Sequence, residues 1–169
     1  MPIVASDIKF ALSGGAINTD PDSSLGGIIS NTFIVTAQLH NLFDLVTSSE
    51  SQTGDIEYRC IYILNSHATL DLFNSAVYIQ FQTPSPDTSG RIGLGTSAIN
   101  GTEQTIANEN TTPSGITWES QTGTTNSLSI GDLPPGGHKA LWLERTVVPG
   151  AAAYNSDMLS IQVVGDTAA

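Results

Sequence analysis

The chain of 169 residues suits one domain built around a single hydrophobic core, with at most an extended arm. Its 16 Asp and Glu residues against 5 Lys and Arg give a formal net charge of −11, which disfavours nucleic-acid binding because a polyanion would be repelled. A single cysteine, Cys60, excludes an intrachain disulfide and leaves too few thiols for a zinc or iron–sulfur site.

The first third of the chain shows few strong core signals. Residues 7–12 and 33–35 predict two short strands, and the turn-rich stretch 18–24 between them predicts a surface loop. We therefore expect residues 1–51 to form either a loop-rich arm that orders on a neighbouring subunit or an edge of the main domain. That main domain, a β-sandwich, is expected to cover residues 52–169.

Two features near the end of this first third resemble helix signals. Residues 39–46 are rich in apolar side chains, but we interpret them as an apolar plug because the following residues offer no apolar stripe to continue a helix. Thr47 and Glu50 have the spacing of a helix capping box, and for the same reason we interpret them as loop.

Two neighbouring strands are predicted in the middle of the chain, at residues 56–64 and 76–82. In the second, Val77, Ile79 and Phe81 alternate with polar or amphipathic residues. Alternation with a period of two is typical of a strand with one buried face, so these three side chains are expected to point into the core.

The second half of the chain continues the β pattern. Residues 96–125 are polar with few apolar anchors, which predicts short edge strands and long loops, whereas residues 127–130, 139–148 and 158–164 predict strands. About seven or more strands separated by turn signals predict an all-β sandwich. The order of these parts resembles immunoglobulin-like sandwiches of the bacterial and phage kind, and a jelly roll stays open as the alternative.

No set of residues predicts catalysis or a metal centre. The three histidines, His40, His67 and His138, lack the short spacing of zinc ligands, and no Gly-x-Ser-x-Gly pattern occurs. Carboxylates are available but form no recognisable catalytic pair. We expect no enzymatic activity and no cofactor.

Two tryptophans, Trp118 and Trp142, are the candidate residues for a subunit interface or a ligand face. Trp142 alternates with Leu141 and Leu143, which places its ring on the opposite side of the strand from the leucines. Together with several tyrosines, the two indoles could form a platform on which sugar rings stack.

Nothing in the sequence predicts export or a membrane segment. The first residues lack a basic region followed by a long apolar one, and no stretch approaches the roughly 20 apolar residues that span a bilayer. We expect the protein to be made and folded in the cytoplasm.

Four stretches resemble small virion structural proteins of tailed bacteriophages: residues 54–60 (Gly-Asp-Ile-Glu-Tyr-Arg-Cys), 100–109, 138–145 and 152–157. The similarity spans most of the chain. It implies a non-enzymatic virion protein present in many copies, foremost a capsid cement or decoration protein whose partners are the major capsid protein and further copies of itself. The alternative is a glycan- or receptor-binding β-module of a tail or head fibre.

Overall fold

The computed structural model describes residues 2–167. Within them the strands are β1 Ile8–Ser13, β2 Gly26–Gly27, β3 Ile29–Phe33, β4 Asp55–Asn65, β5 Leu72–Phe81, β6 Thr88–Leu94, β7 Glu103–Thr105, β8 Leu128–Leu133, β9 His138–Val147 and β10 Ser160–Thr167. One α-helix, α1 Ser48–Thr53, and three short 3-10 helices, Ala5–Asp7, Pro21–Ser23 and Thr124–Asn126, complete the elements. The predicted all-β class is confirmed.

The strands form antiparallel sheets of five, three and two strands. The five-stranded sheet has the order β3-β1-β4-β9-β6, the three-stranded sheet β10-β5-β8, and β2 pairs with β7. The longest ladder joins β4 and β9, which pair continuously from Asp55↔Val147 to Leu64↔His138. The two long strands therefore form the centre of the molecule.

The main core lies between the five-stranded and the three-stranded sheet. On the inner face of the five-stranded sheet, Ile61 and Leu141 are buried against Val77 and Ile79 of the three-stranded sheet. Phe81 was expected on this same buried face, but 64% of its surface is exposed, since it ends β5 at the edge of the contact.

A second apolar layer covers the outer face of the five-stranded sheet. Tyr58, Cys60, Tyr62 and Trp142 are buried there. Loop residues cover them: Leu25, Ile106, Ile116 and Trp118. Both faces of β4 and β9 are thus buried at their centres, which explains why residues 60–64 and 140–143 are apolar without alternation.

The N-terminal third takes part in the five-stranded sheet. β1 pairs with β4 from Ile8↔Asn65 to Leu12↔Ile61, and β3 forms the edge beyond it. Residues 34–47 have no regular secondary structure, and they lead along the inner face into α1. Residues 1–51 accordingly contribute strands to the sheet as well as a long irregular segment.

The interpretation of the Thr47–Glu50 spacing as loop was wrong. Thr47 accepts a hydrogen bond from the Glu50 backbone N–H, and Glu50 accepts one from the Thr47 N–H, so the capping box forms and α1 follows it. Gly54, with φ +77°, ends the helix. α1 has no buried residue, so the helix is stabilised by its end caps and not by an apolar stripe.

No helix within residues 2–167 is long and apolar enough to cross a membrane.

Candidate functional site

A cleft of about 660 Å³ lies over the inner face of the five-stranded sheet, between residues 34–48 and residues 151–161. Its floor includes Phe10, Ile61 and Leu143, which belong to the edge of the main core. We call this feature the loop cleft. At the loop cleft the core is covered by these two irregular segments and not by the three-stranded sheet.

The rim of the loop cleft is apolar and exposed. Leu39 and Leu45 on one side are 52% and 67% exposed, and Tyr154 and Met158 on the other are 51% and 44% exposed. Large apolar side chains that cluster at the surface of a protein mark contact sites more often than isolated ones do. The cleft is therefore the strongest candidate contact surface among the described residues.

Each wall of the loop cleft is fixed to the sheets by a carboxylate. The guanidinium of Arg145, in β9, donates hydrogen bonds to the Asp44 carboxylate at 3.0 Å and to the Asp44 backbone carbonyl at 2.6 Å. In the opposite wall, Asp157 accepts hydrogen bonds from the Ser85 N–H at 3.1 Å and from the Thr88 hydroxyl. The rim is thus presented by segments with defined attachments, and it carries two acidic groups.

Phe43 adds a second attachment to the first wall. Its ring lies 5.0 Å from the Arg145 guanidinium and 5.5 Å from that of Arg59. Cation–π contacts of this length stabilise by about 0.5–2 kcal/mol each. Leu42, its neighbour, is buried in the core, so the predicted apolar plug is formed by residues 42 and 43, while Leu45 points outward.

A network of buried charges lies beneath this wall. Arg59, fully buried, contacts Asp22 at 3.2 Å and Glu109 at 2.6 Å. Glu57, 1% exposed, binds Arg145 through its Oε2 atom, with the Arg145 Nε at 2.6 Å. Burial raises the pKa of Glu57 to about 7, and the two guanidiniums oppose that rise.

Three carboxylates meet at the junction of α1 and β4. Glu50, Asp55 and Glu57 each have an oxygen within 4.8 Å of those of the other two, and we call them the acidic triad. They come together because Gly54 turns the chain sharply between the helix and the strand, while Asp55 and Glu57, two residues apart, share one face of β4.

A smaller polar cleft of about 510 Å³ lies on the outer side of β6 and β9. Arg91 and Glu144 form its centre, with the Arg91 Nε 2.6 Å from the Glu144 Oε1. The hydrogen bonds that Arg91 donates to the Glu144 carboxylate raise the pKa of Arg91. Trp118 lies beside it, with its ring 5.5 Å from the Arg91 guanidinium and 5.6 Å from the Tyr58 ring.

Glu103 occupies a buried position in the outer layer. Its carboxylate accepts hydrogen bonds from the Ser97 N–H at 2.9 Å, the Thr96 hydroxyl at 3.1 Å and the Trp142 indole at 3.4 Å. Burial raises the pKa of Glu103, but these hydrogen bonds outweigh burial and lower it to about 2. The ionised carboxylate therefore fastens the loop that begins at residue 95 to the sheet.

The two tryptophans predicted as a shared contact face occupy different environments. Trp142 is 0% exposed, because loop residues cover the face of β9 opposite the leucines, so its ring cannot reach a ligand or another subunit. Trp118 is half-buried beside the polar cleft. The sequence reasoning missed the rim of the loop cleft, although the run of apolar residues at 39–46 without strand alternation could have pointed to it.

Cys60, His67 and His138 line neither of the two clefts. Burial raises the pKa of the Cys60 thiol, which favours its uncharged form. His67 accepts the backbone N–H groups of Thr69 and Leu70 through Nδ1, and His138 packs edge-on against Tyr62 at 5.2 Å. His67 therefore stabilises a turn, and Cys60 and His138 contribute to packing.

Comparison of the chain with models of known protein families, with curated proteins and with solved structures found no match.

Proposed function

We propose that this protein is a non-enzymatic structural protein of a tailed-phage virion, foremost a cement or decoration protein that binds the outside of the capsid and stabilises it. The observation that carries the proposal is the exposed apolar rim of the loop cleft. The resemblance of four sequence stretches to virion structural proteins also supports the proposal. One of these stretches, residues 152–157, lies in the second wall of the cleft.

The charges of the rim select the partner. Asp157 flanks the apolar side chains without a cationic partner among the described residues, whereas Asp44 is paired with Arg145, and the chain carries a formal net charge of −11. A partner surface that offers apolar side chains bordered by basic groups complements this rim, whereas a second copy of the same rim would repel it. We propose that this partner is the major capsid protein. Contacts between copies of this chain in a symmetric oligomer would then lie outside the cleft.

Binding to capsids tests the proposal. The purified chain should add to expanded capsids of its own phage and raise the temperature at which they disrupt. A Leu39→Asp, Leu45→Asp double variant should lose most of this binding, because it places charges on the rim without touching the core. Ile17→Asp is the matched control, since Ile17 is 95% exposed and lies outside the cleft.

Two results would contradict the proposal. One is failure of the wild-type chain to bind capsids of its own phage. The other is equal binding by the double variant and the control, which would exclude the loop cleft as the contact surface.

The finer fold assignment belongs to the same proposal. We propose an immunoglobulin-like topology, because the order β1-β4-β9-β6 opposite the β10–β5 pair corresponds to strands A-B-E-D opposite F and C of that fold. β8 lies on the other side of β5, and β3 extends the first sheet. A jelly roll is the alternative topology.

The polar cleft supports a second candidate function, a glycan- or receptor-binding module of a tail or head fibre. Hydroxyl, amide and charged side chains line it, among them Gln82, Ser89 and Arg91, and Trp118 lies next to it. Saturable binding to host-surface polysaccharide that is lost in Trp118→Ala would support it. A screen without glycan binding would argue against it, and Trp142→Ala is unsuitable as a test because Trp142 is a core residue.

A further inference from the structure

We propose that the acidic triad binds a divalent cation of the calcium class. Its three members come from two elements, Glu50 from α1 and Asp55 and Glu57 from β4. A bound ion would join the helix to the start of the central strand. This inference does not depend on the proposed virion function.

The spacing of the carboxylates fits such an ion. Ca²⁺ takes oxygen ligands at about 2.3–2.6 Å, so two oxygens on one ion lie up to about 5 Å apart. The ligand atoms of the acidic triad all lie within 4.8 Å of one another. Two of the side chains are half-buried and the third is buried, which leaves a solvent side from which water can complete the coordination.

An unpartnered buried oxygen points independently to a missing ligand. Glu57 is 1% exposed, and its Oε1 has no hydrogen-bond partner among the described residues. The Oε2 atom already accepts from Arg145, and the nearest atom of Arg59 is 4.0 Å from Oε1, beyond hydrogen-bond length. Leaving a buried carboxyl oxygen without a partner costs free energy, which a cation would offset.

The nearby guanidiniums already have partners outside the triad. Arg145 binds Asp44, and Arg59 binds Asp22 and Glu109, at distances between 2.6 and 3.2 Å. These three carboxylates alone outnumber the two guanidiniums. Arg145 also binds Glu57, a member of the triad, so the two guanidiniums face six carboxyl groups in all.

The two outer members of the triad have only neutral partners. Glu50 accepts the Thr47 N–H at 2.6 Å, and Asp55 accepts the Asn110 amide at 2.9 Å. Among the described residues neither forms an ion pair. Their remaining oxygen lone pairs are therefore free for a hard cation, whose preferred ligands are carboxylates.

Titration of the full, chelator-treated chain with CaCl₂ tests this site. Calorimetry should detect one bound Ca²⁺ per chain, and the thermal unfolding midpoint should rise with Ca²⁺ at constant ionic strength. MgCl₂ should be less effective, because Mg²⁺ demands shorter distances and stricter octahedral geometry.

Glu50→Gln is the most informative variant. Glutamine still accepts the Thr47 N–H in a capping box, so the helix is retained while one ligand charge is lost. We expect at least tenfold weaker Ca²⁺ binding in Glu50→Gln and in Asp55→Asn, and unchanged binding in the control Asp71→Asn, whose carboxylate is outside the triad. Absence of Ca²⁺ binding to the wild type, or equal binding by all variants, would overturn the proposal.

Discussion

Replacing Glu103 by glutamine should remove a pH-dependent part of the folding stability. The carboxylate has a pKa of about 2 in the folded protein against an ordinary value of 4.5. At about 1.4 kcal/mol for each pKa unit, that difference corresponds to about 3 kcal/mol. Glutamine keeps the shape of the side chain, but its amide group would face the hydrogen-bond donors of Ser97 and Thr96.

The direction in which the stability changes with pH follows from the lowered pKa of Glu103. Above pH 4.5 Glu103 is ionised in both the folded and the unfolded chain, and its full contribution to stability is present. As the pH falls towards 2, the unfolded chain takes up the proton first, and the contribution is lost. At pH 3 about half of it should remain, because only the unfolded state is then largely protonated.

Urea unfolding of the wild type and Glu103→Gln at pH 7 and pH 3 measures this contribution. We expect the difference in the free energy of unfolding to be about 3 kcal/mol at pH 7 and about half of that at pH 3. The control Glu119→Gln removes a less buried carboxylate and should show a small difference at either pH. A Glu103→Gln difference that is the same at both pH values would refute the argument from the ionised carboxylate.

Three further outcomes follow from the outer layer. Trp142→Ala should cost about 3–5 kcal/mol in urea unfolding, whereas Trp118→Ala, at a half-buried position, should cost clearly less; equal losses would contradict the difference in burial. Gly26→Ala should lower hydrogen-exchange protection in β7, since its Cβ would lie 1.9 Å from the Gln104 carbonyl oxygen; unchanged protection would show that the loop can move aside. Cys60 should react with a thiol reagent only when the surrounding structure opens, so its reaction should accelerate with urea. Rapid labelling of the native protein would argue against a buried thiol.

Much of the fold can be predicted from local patterns. The strands predicted at residues 56–64 and 139–148 match β4 and β9 within about two residues, because their apolar runs are long and end at turn residues. The helix α1 was missed, since its stability comes from capping groups and not from periodicity. Local pattern therefore predicts elements that bury their side chains better than elements that depend on end caps.

The candidate sites could be predicted much less well. The alternation around Trp142 correctly separates the two faces of β9, but only the path of the loops that carry Leu25, Ile106, Ile116 and Trp118 decides that the second face is covered. The rim of the loop cleft joins residues more than 100 positions apart, such as Leu45 and Met158. Contacts of that sequence separation depend on how the chain returns to the sheet, which no local period encodes.

Burial of both faces of β4 and β9 separates the framework of this protein from its surface. The two central strands expose almost no side chains, so solvent and partners meet mainly loops, turns and edge strands. Substitutions in the loops can change what the molecule contacts while the central ladder stays as it is. The same arrangement makes the loops candidates for grafted sequences, with the doubly covered ladder as a fixed support.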